Sequence, residues 1–482
     1  MIARLSLTTT DVRTLRPLAC LLVLAFLCAS IATLAAAEMS ASAPRALSSG
    51  FSTLGPKPGD VYREYIFSAS TIADWQVTDP NATAPTPREL DLPNDLLHFY
   101  VPTLEHAIRA EVMLDRWGGH PGTTAKRIRF NPGVWLPDEE RAKLRPGRAP
   151  ENWGKWILVP ELQTTPEGEH PESFVYQDNP IVEVPLDQFR DGPNFLQADC
   201  TALGNGGWGK WGFYGVVLRI YYDPDEVPHP DARIATPAND ETIEFGVEAQ
   251  IENLGDRRIV RADVLAYYDG YDEDGDGVSL DYHRAYHMRD GMGQPIQIGD
   301  HVGTATWYPL AVAFNDYWIP DQEPGIVRLI ARVQDEEGVW SVTDEVTGLS
   351  FKDVGYPVRL YQSHDVPPRF DVSIRSPRKS CHFYIPPEDD LANAESRSTL
   401  YIRTWNGDAG EVSINGKWTC DTVGLGHFYA YQKIFFPTDV LQQGENTIEF
   451  HSEFTHHGME ILWPGPAVLV RYHPAEDEPQ GH

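Results

Sequence analysis

Two short stretches, 252 residues apart, hold the side chains best suited to contacting a ligand. Residues 204–208 read GNGGW and residues 456–460 read HHGME. In the first stretch and just after it, Trp208 and Trp211 offer flat aromatic faces and Lys210 offers a hydrogen-bond donor. Loops that differ between otherwise matched regions are where ligand choice usually resides. The first stretch therefore predicts stacking against a sugar ring, although packing of either tryptophan in a core is an alternative.

The second stretch predicts different chemistry. His456, His457 and Glu460, close to Trp463, combine two imidazoles with a carboxylate and an aromatic face. Such a set could bind a metal ion or act as an acid and a base. A solvated surface loop is the alternative for the histidines, and a core position is the alternative for Trp463.

A third candidate is a calcium loop in the middle of the chain. Asp272, Asp274 and Asp276 occupy alternate positions, so that their carboxylates could converge on one cation. An EF-hand would place Glu at the twelfth position of this loop, where the chain has His283. Asp281 or a backbone carbonyl could complete the coordination shell instead. We predict a structural calcium ion here, with a solvated acidic turn as the alternative.

The stretches that differ lie inside two segments that otherwise match without gaps. At a constant offset of 252, one set of residues repeats in type and order: Pro185, Asp187, Gly192, Asn194, Trp211 and Arg219 correspond to Pro437, Asp439, Gly444, Asn446, Trp463 and Arg471. Self-similarity of this kind indicates repeated units of one fold. We therefore predict an internal duplication with a different domain between the copies.

The elements that position these residues should be β-strands. The chain has 39 Pro and 39 Gly, which leave little room for long helices, and apolar residues alternate with polar ones at 242–251 and again from 327 to 333. Asn415-Gly416 between alternating apolar residues predicts a hairpin.

Boundaries of the units follow from where these patterns begin and end. The first copy should span 58–224, with a long insertion at 136–180, and the second copy should span 355–474. The middle domain, 229–352, has the size and strand spacing of an immunoglobulin-like sandwich.

These patterns carry two family resemblances. The hairpin at Asn415-Gly416, the run 437–448 and its counterpart 185–194 resemble galactose-binding-like jelly-roll domains. The middle domain resembles bacterial Ig-like modules in residues 318–321 and 327–338. The resemblance implies an all-β chain: a jelly-roll sandwich, an Ig-like sandwich and a second jelly-roll sandwich. It also implies association with polysaccharides, without bringing a catalytic signature.

Composition limits where the chain works and what it can bind. Residues 1–37 have the order of a secretory signal peptide: basic residues, an apolar run and a small-residue cleavage site. After its removal no stretch is long and apolar enough to insert in a membrane. The formal charge of -31 disfavours nucleic acid and anionic glycans unless a local basic patch or a cation intervenes. Among the remaining cysteines, Cys381 and Cys420 could pair, which would leave Cys200 unpaired.

The sequence as a whole favours an exported, noncatalytic glycan-binding protein, located outside the cell, in the periplasm or on the cell surface. One alternative is a polysaccharide-processing enzyme with its site in the insertion of the first copy. The candidates for that enzyme are Glu161, Glu167, Glu169 and His170. Another alternative is a structural cell-surface or matrix protein. The oligomeric state does not follow from the sequence.

Overall fold

The computed structural model describes most of the chain after residue 54. The described ranges are 55–68, 75–78, 97–118, 123–131, 154–160, 177–202, 210–243, 246–273, 277–283, 302–352, 356–422, 429–455 and 458–474. Within them the fold is all-β: thirty strands and four 3-10 helices of three residues each, with no α-helix. The signal-peptide prediction for 1–37 and most of the predicted insertion lie outside the described residues.

The first sandwich consists of β1 to β10 and a 3-10 helix at Leu186–Gln188. Its strands are β1 Val61–Ser68, β2 Trp75–Thr78, β3 Leu97–Val101, β4 Ala107–Trp117, β5 Thr123–Phe130, β6 Ile157–Leu158, β7 Gln177–Asp178, β8 Ile181–Val184, β9 Gly192–Ala202 and β10 Lys210–Tyr222. One sheet has β10 between β1 and β4, with β2 also on β10 and with β7 and β8 on β4; the other runs β3-β9-β5-β6. A cluster of buried apolar side chains fills the space between the sheets.

The middle sandwich consists of β11 to β20. Its strands are β11 Ala232–Thr236, β12 Thr242–Ile243, β13 Glu248–Asn253, β14 Ile259–Asp269, β15 Leu280–Tyr282, β16 Gly303–Ala305, β17 Ala311–Ala313, β18 Val327–Asp335, β19 Val339–Val342 and β20 Val346–Phe351. A small sheet β11-β13-β17 faces the larger sheet, in which β18 pairs with β14, β19 and β20. The alternation at 242–251 does not form one strand, because Gly246, at a φ of +78°, separates β12 from β13.

The last sandwich consists of β21 to β30 and three 3-10 helices at Leu391–Asn393, Gly407–Ala409 and Thr438–Val440. Its strands are β21 Val358–Gln362, β22 Asp371–Val372, β23 Arg378–Ile385, β24 Arg397–Trp405, β25 Glu411–Ile414, β26 Trp418–Asp421, β27 Tyr429–Pro437, β28 Gly444–His451, β29 Met459–Ile461 and β30 Ala467–Arg471. One sheet runs β21-β30-β24-β29-β22 with β27 on β24, and the other runs β23-β28-β25-β26. Their inner faces enclose a separate apolar core.

The first and last sandwiches agree in detail where the sequence segments match. Asn131 and Asn415 both adopt a positive φ, +47° and +52°, at the end of β5 and of β25. The amide nitrogen of Asn131 donates to Asn194 Oδ1 at 2.8 Å, and that of Asn415 donates to Asn446 Oδ1 at the same distance. Each asparagine oxygen accepts a backbone N–H from the strand that follows the 3-10 helix. The side chains thus satisfy buried backbone groups at the corner of each sandwich.

The first and middle sandwiches share one continuous sheet. Strand β1 pairs on one side with β10 and on the other with β19, where Tyr62 faces Trp340. Behind this seam Arg219 contacts Glu64 at 2.8 Å and Glu111 at 3.1 Å, and Arg332 contacts Glu64 at 3.2 Å. All of these side chains are almost completely buried, so the junction is a compact charged layer rather than a hinge.

Aromatic residues form much of the junction between the middle and last sandwiches. Tyr271 of the middle sandwich packs against Tyr401 and Leu469 of the last one. Asp321 accepts a hydrogen bond from the backbone of Val358 at 2.8 Å, and the backbone of Asp321 donates one back. The outer face of the same sheet therefore contacts the middle sandwich in both flanking sandwiches.

None of the three cysteines in the described ranges forms a disulfide. Cys381 belongs to the core of the last sandwich, and its burial raises the pKa of its thiol to about 12. Cys420 lies on β26 and is partly exposed, so the pairing of these two residues that the sequence allowed is not formed.

None of the helices among the described residues is long and apolar enough to cross a lipid bilayer.

Candidate functional site

A cavity of about 200 Å³ lies between the middle and last sandwiches. Its walls combine aromatic rings with a carboxylate, an imidazole and an ammonium group. The lining residues used below are Tyr268, Tyr271, Glu273, His283, Trp318, Tyr401, Tyr431 and Lys433. Concave sites that combine apolar walls with a few polar groups are the usual form of a small-ligand pocket. We call this cavity the aromatic pocket.

Three tyrosines form one wall of the aromatic pocket. The ring of Tyr271 lies 5.7 Å from both Tyr401 and Tyr431, and the last two rings are 6.2 Å apart. The ammonium nitrogen of Lys433 lies 5.3 Å from the Tyr401 centroid and 5.7 Å from that of Tyr431. These distances allow cation–π attraction, which holds the Lys433 ammonium beside the ring faces.

Strand alternation explains how these rings reach the pocket. Leu400 and Ile402 of β24 point into the core of the last sandwich, so Tyr401 must point to the outer face. On β27, Tyr431 and Lys433 project from that same face. Because the chain leaves β14 after Asp269, Tyr271 can cross to them, and its hydroxyl donates to the Gly465 carbonyl at 2.7 Å. Burial raises the pKa of Tyr271, which keeps this donor protonated.

Trp318 forms part of the opposite wall. Its backbone carbonyl accepts a hydrogen bond from the Tyr401 hydroxyl at 3.3 Å. The Trp318 ring also lies 5.7 Å from Phe435 and 5.1 Å from Tyr317. The half-buried indole is thus fixed between rings of both sandwiches.

A buried carboxylate–imidazole pair closes the inner end of the pocket. Both carboxylate oxygens of Glu273 lie 2.8 Å from Nδ1 of His283, and the imidazole ring stacks on Tyr268 at 3.7 Å. Gly270 permits this packing: a Cβ there would stand 2.9 Å from the nearest ring atoms of both His283 and Tyr268. The glycine is therefore needed for space, not for a positive φ.

The hydrogen bonds of His283 restrict its chemistry. Its Nε2 lies 3.1 Å from the carbonyl oxygen of Tyr268, an acceptor, so this nitrogen must carry a proton. Its Nδ1 faces Glu273, and one further proton must lie between these two groups. Since both ring nitrogens are engaged by protein atoms, neither faces the pocket as a general base.

Of the first predicted stretch, the structure describes only the end. Trp208 lies outside the described residues, and Lys210 begins β10 with a side chain that is not described. Trp211 is 0 % exposed, belongs to the core of the first sandwich and donates from Nε1 to the Asp199 carbonyl at 3.2 Å. A sugar has no access to that ring. Trp211 therefore occupies the core position that the sequence left open as the alternative to a stacking face.

Of the second stretch, His456 and His457 lie outside the described residues. Glu460 does not belong to an exposed loop but to β29, where it faces Asp371 on one neighbouring strand and Trp405 on the other. Glu460 is only 7 % exposed. The fold therefore does not present it as the open ligand contact that the sequence predicted. Trp463 is half-buried, and its carbonyl accepts a hydrogen bond from Arg403 at 2.7 Å.

The surroundings of Glu460 favour its neutral form. Burial raises the pKa of this carboxyl well above its ordinary value, the nearby Asp371 raises it further, and Arg369 acts in the opposite direction. Asp371 itself contacts Lys379 at 3.0 Å and Arg369 at 3.1 Å. The fold therefore favours the protonated form of the Glu460 carboxyl.

The predicted calcium loop is described at its two ends. One carboxylate oxygen of Asp272 accepts the backbone N–H of Gly277 at 2.8 Å, and Gly277 has a φ of +86°. Asp274 and Asp276 lie outside the described residues. Asp281 is half-buried, and its carboxylate accepts the N–H of Tyr282 at 2.6 Å. The described residues alone contain no group of three metal-binding side chains, and the calcium ion stays a prediction.

A second cavity, of about 740 Å³, opens on the other sheet of the last sandwich. It lies where β25 begins and where β26 and β28 end, and acidic side chains surround it: Asp408, Glu411, Asp421 and Glu453. His451 stands between Glu411, at 3.6 Å, and Glu453, at 3.7 Å. We call this cavity the acidic groove.

Sequence reasoning missed the aromatic pocket because its residues come from two sandwiches. In the sequence, Glu273 is one residue of an acidic run, and His283 stands where an EF-hand would have Glu. Neither position indicates that the two side chains meet. A usable signal was present in β27, where Tyr429, Tyr431, Lys433 and Phe435 alternate on the side opposite the core. Aromatic residues on the outward side of a strand indicate that something covers them or binds there.

Comparisons with known proteins give no family for this chain. No protein-family model and no curated protein matches it. Among solved structures, a β-porphyranase of glycoside hydrolase family 86 from the human gut bacterium Bacteroides plebeius is 12% identical, with a TM-score of 0.19, over 48% of this chain and 35% of that chain. Fibronectin(III)-like modules of Clostridium thermocellum CbhA are 10% identical, with a TM-score of 0.15, over 46% and 95%. The chain thus covers about a third of the first enzyme, and likenesses this low carry no argument about function.

Proposed function

We propose that this chain is an exported, noncatalytic glycan-binding protein and that the aromatic pocket is its sugar site. The observation that carries the proposal is the cavity lined by the partly exposed rings of Tyr431 and Trp318 and the exposed Lys433. The buried rings of Tyr271 and Tyr401 pack against Tyr431 and hold it in place. Flat ring faces complement the C–H faces of a sugar, and an ammonium group donates hydrogen bonds to its hydroxyls.

The size of the pocket limits how much of a glycan enters it. At about 200 Å³ it is smaller than the roughly 300–1,000 Å³ of pockets for drug-sized ligands. A single sugar residue, at a chain end or as a side branch, is the natural occupant. Each such contact is weak, so avidity on a polymer would supply strength if several sites engage together.

The arrangement of polar groups supports binding rather than turnover. Catalysis of glycoside hydrolysis needs two carboxyl groups that face the substrate, or a base with a free nitrogen. Glu273 is engaged by His283, and the second nitrogen of His283 is engaged by the Tyr268 carbonyl. The proton between Glu273 and His283 therefore stabilises the pocket wall.

A glycan microarray probed with the purified chain tests the proposal, followed by titration of the best glycan against variants. Tyr431→Ala should weaken binding at least about tenfold, since a loss of about 1.4 kcal/mol of ring contact gives that factor. Gly270→Ala should weaken it too, because the added methyl group displaces the rings of His283 and Tyr268.

Tyr384→Ala is the matched control. This tyrosine is 43% exposed and lies on β23, in the other sheet of the same sandwich. Affinity should be unchanged in the control. Equal losses in Tyr384→Ala and Tyr431→Ala would place the sugar outside the pocket, and a blank array would favour the structural-protein alternative.

Release of product from a polysaccharide would instead favour the enzyme alternative. Its sequence candidates, Glu161, Glu167, Glu169 and His170, lie outside the described residues. Loss of turnover in Glu161→Gln, with glycan binding retained, would assign the activity to the insertion of the first sandwich. Turnover that survives changes at all four positions would exclude these candidates.

We also propose that Asp272, with Asp274, Asp276 and Asp281, holds a structural calcium ion. The turn at Gly277 supports the proposal, because calcium loops place a glycine at the same position. Calorimetric titration of the calcium-free chain with calcium should show one site that Asp272→Asn weakens. Absence of bound calcium in the titration, together with an unchanged melting temperature in chelator, would reject it.

A further inference from the structure

The outer face of the β3-β9-β5-β6 sheet carries a small basic surface in this strongly acidic protein. Arg127 and Arg129 project from β5, and their guanidinium carbons lie 4.6 Å and 4.2 Å from the centroid of the Trp156 ring. Ile157 packs towards the core, so Trp156 and Leu158 lie on the outer side of the edge strand. We call Trp156, Arg127, Arg129 and Gln197 the basic face.

The two arginines differ in how their charge is balanced. Arg127 contacts the Asp199 carboxylate at 2.6 Å, whereas Arg129 donates through Nε to the amide oxygen of Gln197 at 2.6 Å. No carboxylate among the described residues pairs with Arg129. Burial lowers the pKa of the Arg129 guanidinium, Asp199 opposes this, and the adjacent Arg127 lowers it further. Counted over the described residues, the face thus has two arginines and one carboxylate, that of Asp199, beside an aromatic ring.

The matching positions of the last sandwich carry no arginine: Arg129, which pairs with Gln197, corresponds to Ser413, which pairs with Glu449. By the matched strands and the offset of 252, Arg127 corresponds to Glu411, and Gln197 and Asp199 correspond to Glu449 and His451. These residues of the last sandwich lie in or beside the acidic groove. The packing of the two sheets is alike, so the framework does not require the arginines, and their charge is a property of this face alone.

From this juxtaposition we infer that the basic face binds an anionic sugar substituent, a sulfate or a carboxylate, with Arg129 as the charged contact and Trp156 as the stacking surface. The guanidinium fork suits the planar carboxylate and the oxygens of a sulfate. The site explains how a chain of net charge -31 could still hold an acidic glycan. It depends on the proposed glycan-binding function for its ligand class, but not on the aromatic pocket.

The test compares dextran sulfate oligosaccharides with unsulfated dextran of the same length, titrated against the purified chain. Arg129→Gln should weaken binding of the sulfated probe at least about tenfold and leave that of the unsulfated probe unchanged. Gln197→Glu should do the same without removing the arginine, because it gives Arg129 a carboxylate of its own within hydrogen-bonding distance. Added salt should weaken binding of the sulfated probe and leave binding of the unsulfated probe unchanged.

Arg258→Gln is the control for net charge. Arg258 is 70% exposed, lies in the middle sandwich and contacts only the exposed Glu336 among the residues described. Equal losses for Arg258→Gln and Arg129→Gln would overturn the inference, because a general charge effect would then explain them. Unchanged binding of the sulfated probe in both Arg129→Gln and Gln197→Glu would overturn it as well.

Two further outcomes distinguish sugar binding at the basic face from sugar binding in the aromatic pocket and from self-association. Sulfated binding that depends on Arg129 but not on Tyr431 supports the basic face and leaves the aromatic pocket to be judged on its own array result. Self-association in sedimentation experiments that Arg129→Gln abolishes would overturn the glycan assignment, since the basic face would then contact the acidic groove of a second copy.

Discussion

The first and last sandwiches have the same strand order and the same asparagine corner, yet each attaches to the middle sandwich with different chemistry. Arg219 and Arg471 occupy matching positions on β10 and β30. The strand neighbour of Arg219 is Glu64, whereas that of Arg471 is Val358. Arg219 therefore joins a buried charged layer, while Arg471 contacts Glu395 at 3.2 Å and lies over the ring of Tyr317 at 3.6 Å.

This difference shows how one framework supports two kinds of junction. A cavity beside buried charges is destabilising, because each charge needs a partner when water is removed. Aromatic residues pack by shape and can leave a cavity whose walls are still stable. The aromatic pocket lies at the junction of the second kind.

The largest expected difference between the sandwiches comes from removing the matching arginines. Arg219→Ala should lower the free energy of unfolding by about 3–5 kcal/mol, because Glu64 and Glu111 would remain buried without their shared cation. Arg471→Ala should cost only about 1–2 kcal/mol, since its partner Glu395 is closer to solvent. Urea titrations followed by circular dichroism measure both values.

A double variant separates charge from packing in this comparison. Glu64→Gln combined with Arg219→Met removes both charges of this ion pair and keeps most of the side-chain volume. The double variant should therefore recover part of the stability that Arg219→Ala loses. Similar losses for Arg219→Ala and Arg471→Ala would contradict the distinction between the two junctions.

The asparagine corners should respond alike in both sandwiches. Asn131→Ala and Asn415→Ala each place alanine at a positive φ and remove the hydrogen bonds that satisfy the following strand, at a cost of about 2–4 kcal/mol. The two values should agree within about 1 kcal/mol. Asn131→Gly and Asn415→Gly should lose less stability than the alanine variants, because glycine adopts a positive φ without strain. A loss in only one sandwich would show that the corners are not equivalent.

Much of the fold could be predicted from the sequence because the constraints are local. The constant spacing from Pro185 to Arg219 corresponds to elements that the structure places alike in both flanking sandwiches, and the all-β prediction is confirmed. The shared sheet could not be predicted, since β1 and β19 are almost 280 residues apart and their pairing depends on edge strands that alternation does not distinguish.

The site was harder to predict for the same reason. Trp211 and Glu460 were chosen for their chemistry, but strand alternation places Trp211 in a core, and the neighbouring strands cover Glu460. Residue type alone does not report burial. Tyr271 and Tyr431, by contrast, come together only when two sandwiches meet, and the outward aromatic residues of β27 indicate a covered or binding face without showing what lies opposite.

The smallest expected effect is the pH dependence of stability that Glu460 causes. Glu460 lies at a position where the two copies differ in residue type. Its counterpart at the offset of 252 is Trp208. The folded state raises the pKa of Glu460 through burial and through Asp371, so the folded protein holds a proton that the unfolded chain has released. Stability should therefore be fully present below the ordinary pKa of the carboxyl and should fall as the pH rises through the raised value.

Glu460→Gln replaces the neutral acid with an amide of the same shape and should remove that slope. At pH 8 the variant should be more stable than the parent by about 1–2 kcal/mol, and at pH 4 the two should be equal. Glu453→Gln, at an exposed carboxyl of the same sandwich, is the control and should leave the slope unchanged. Parallel stability curves for Glu460→Gln and the parent from pH 4 to pH 8 would mean that Glu460 is ionised in the fold. Glu460 would then need a buried cation near it, and the predicted His456-His457 stretch would be the first place to search for one.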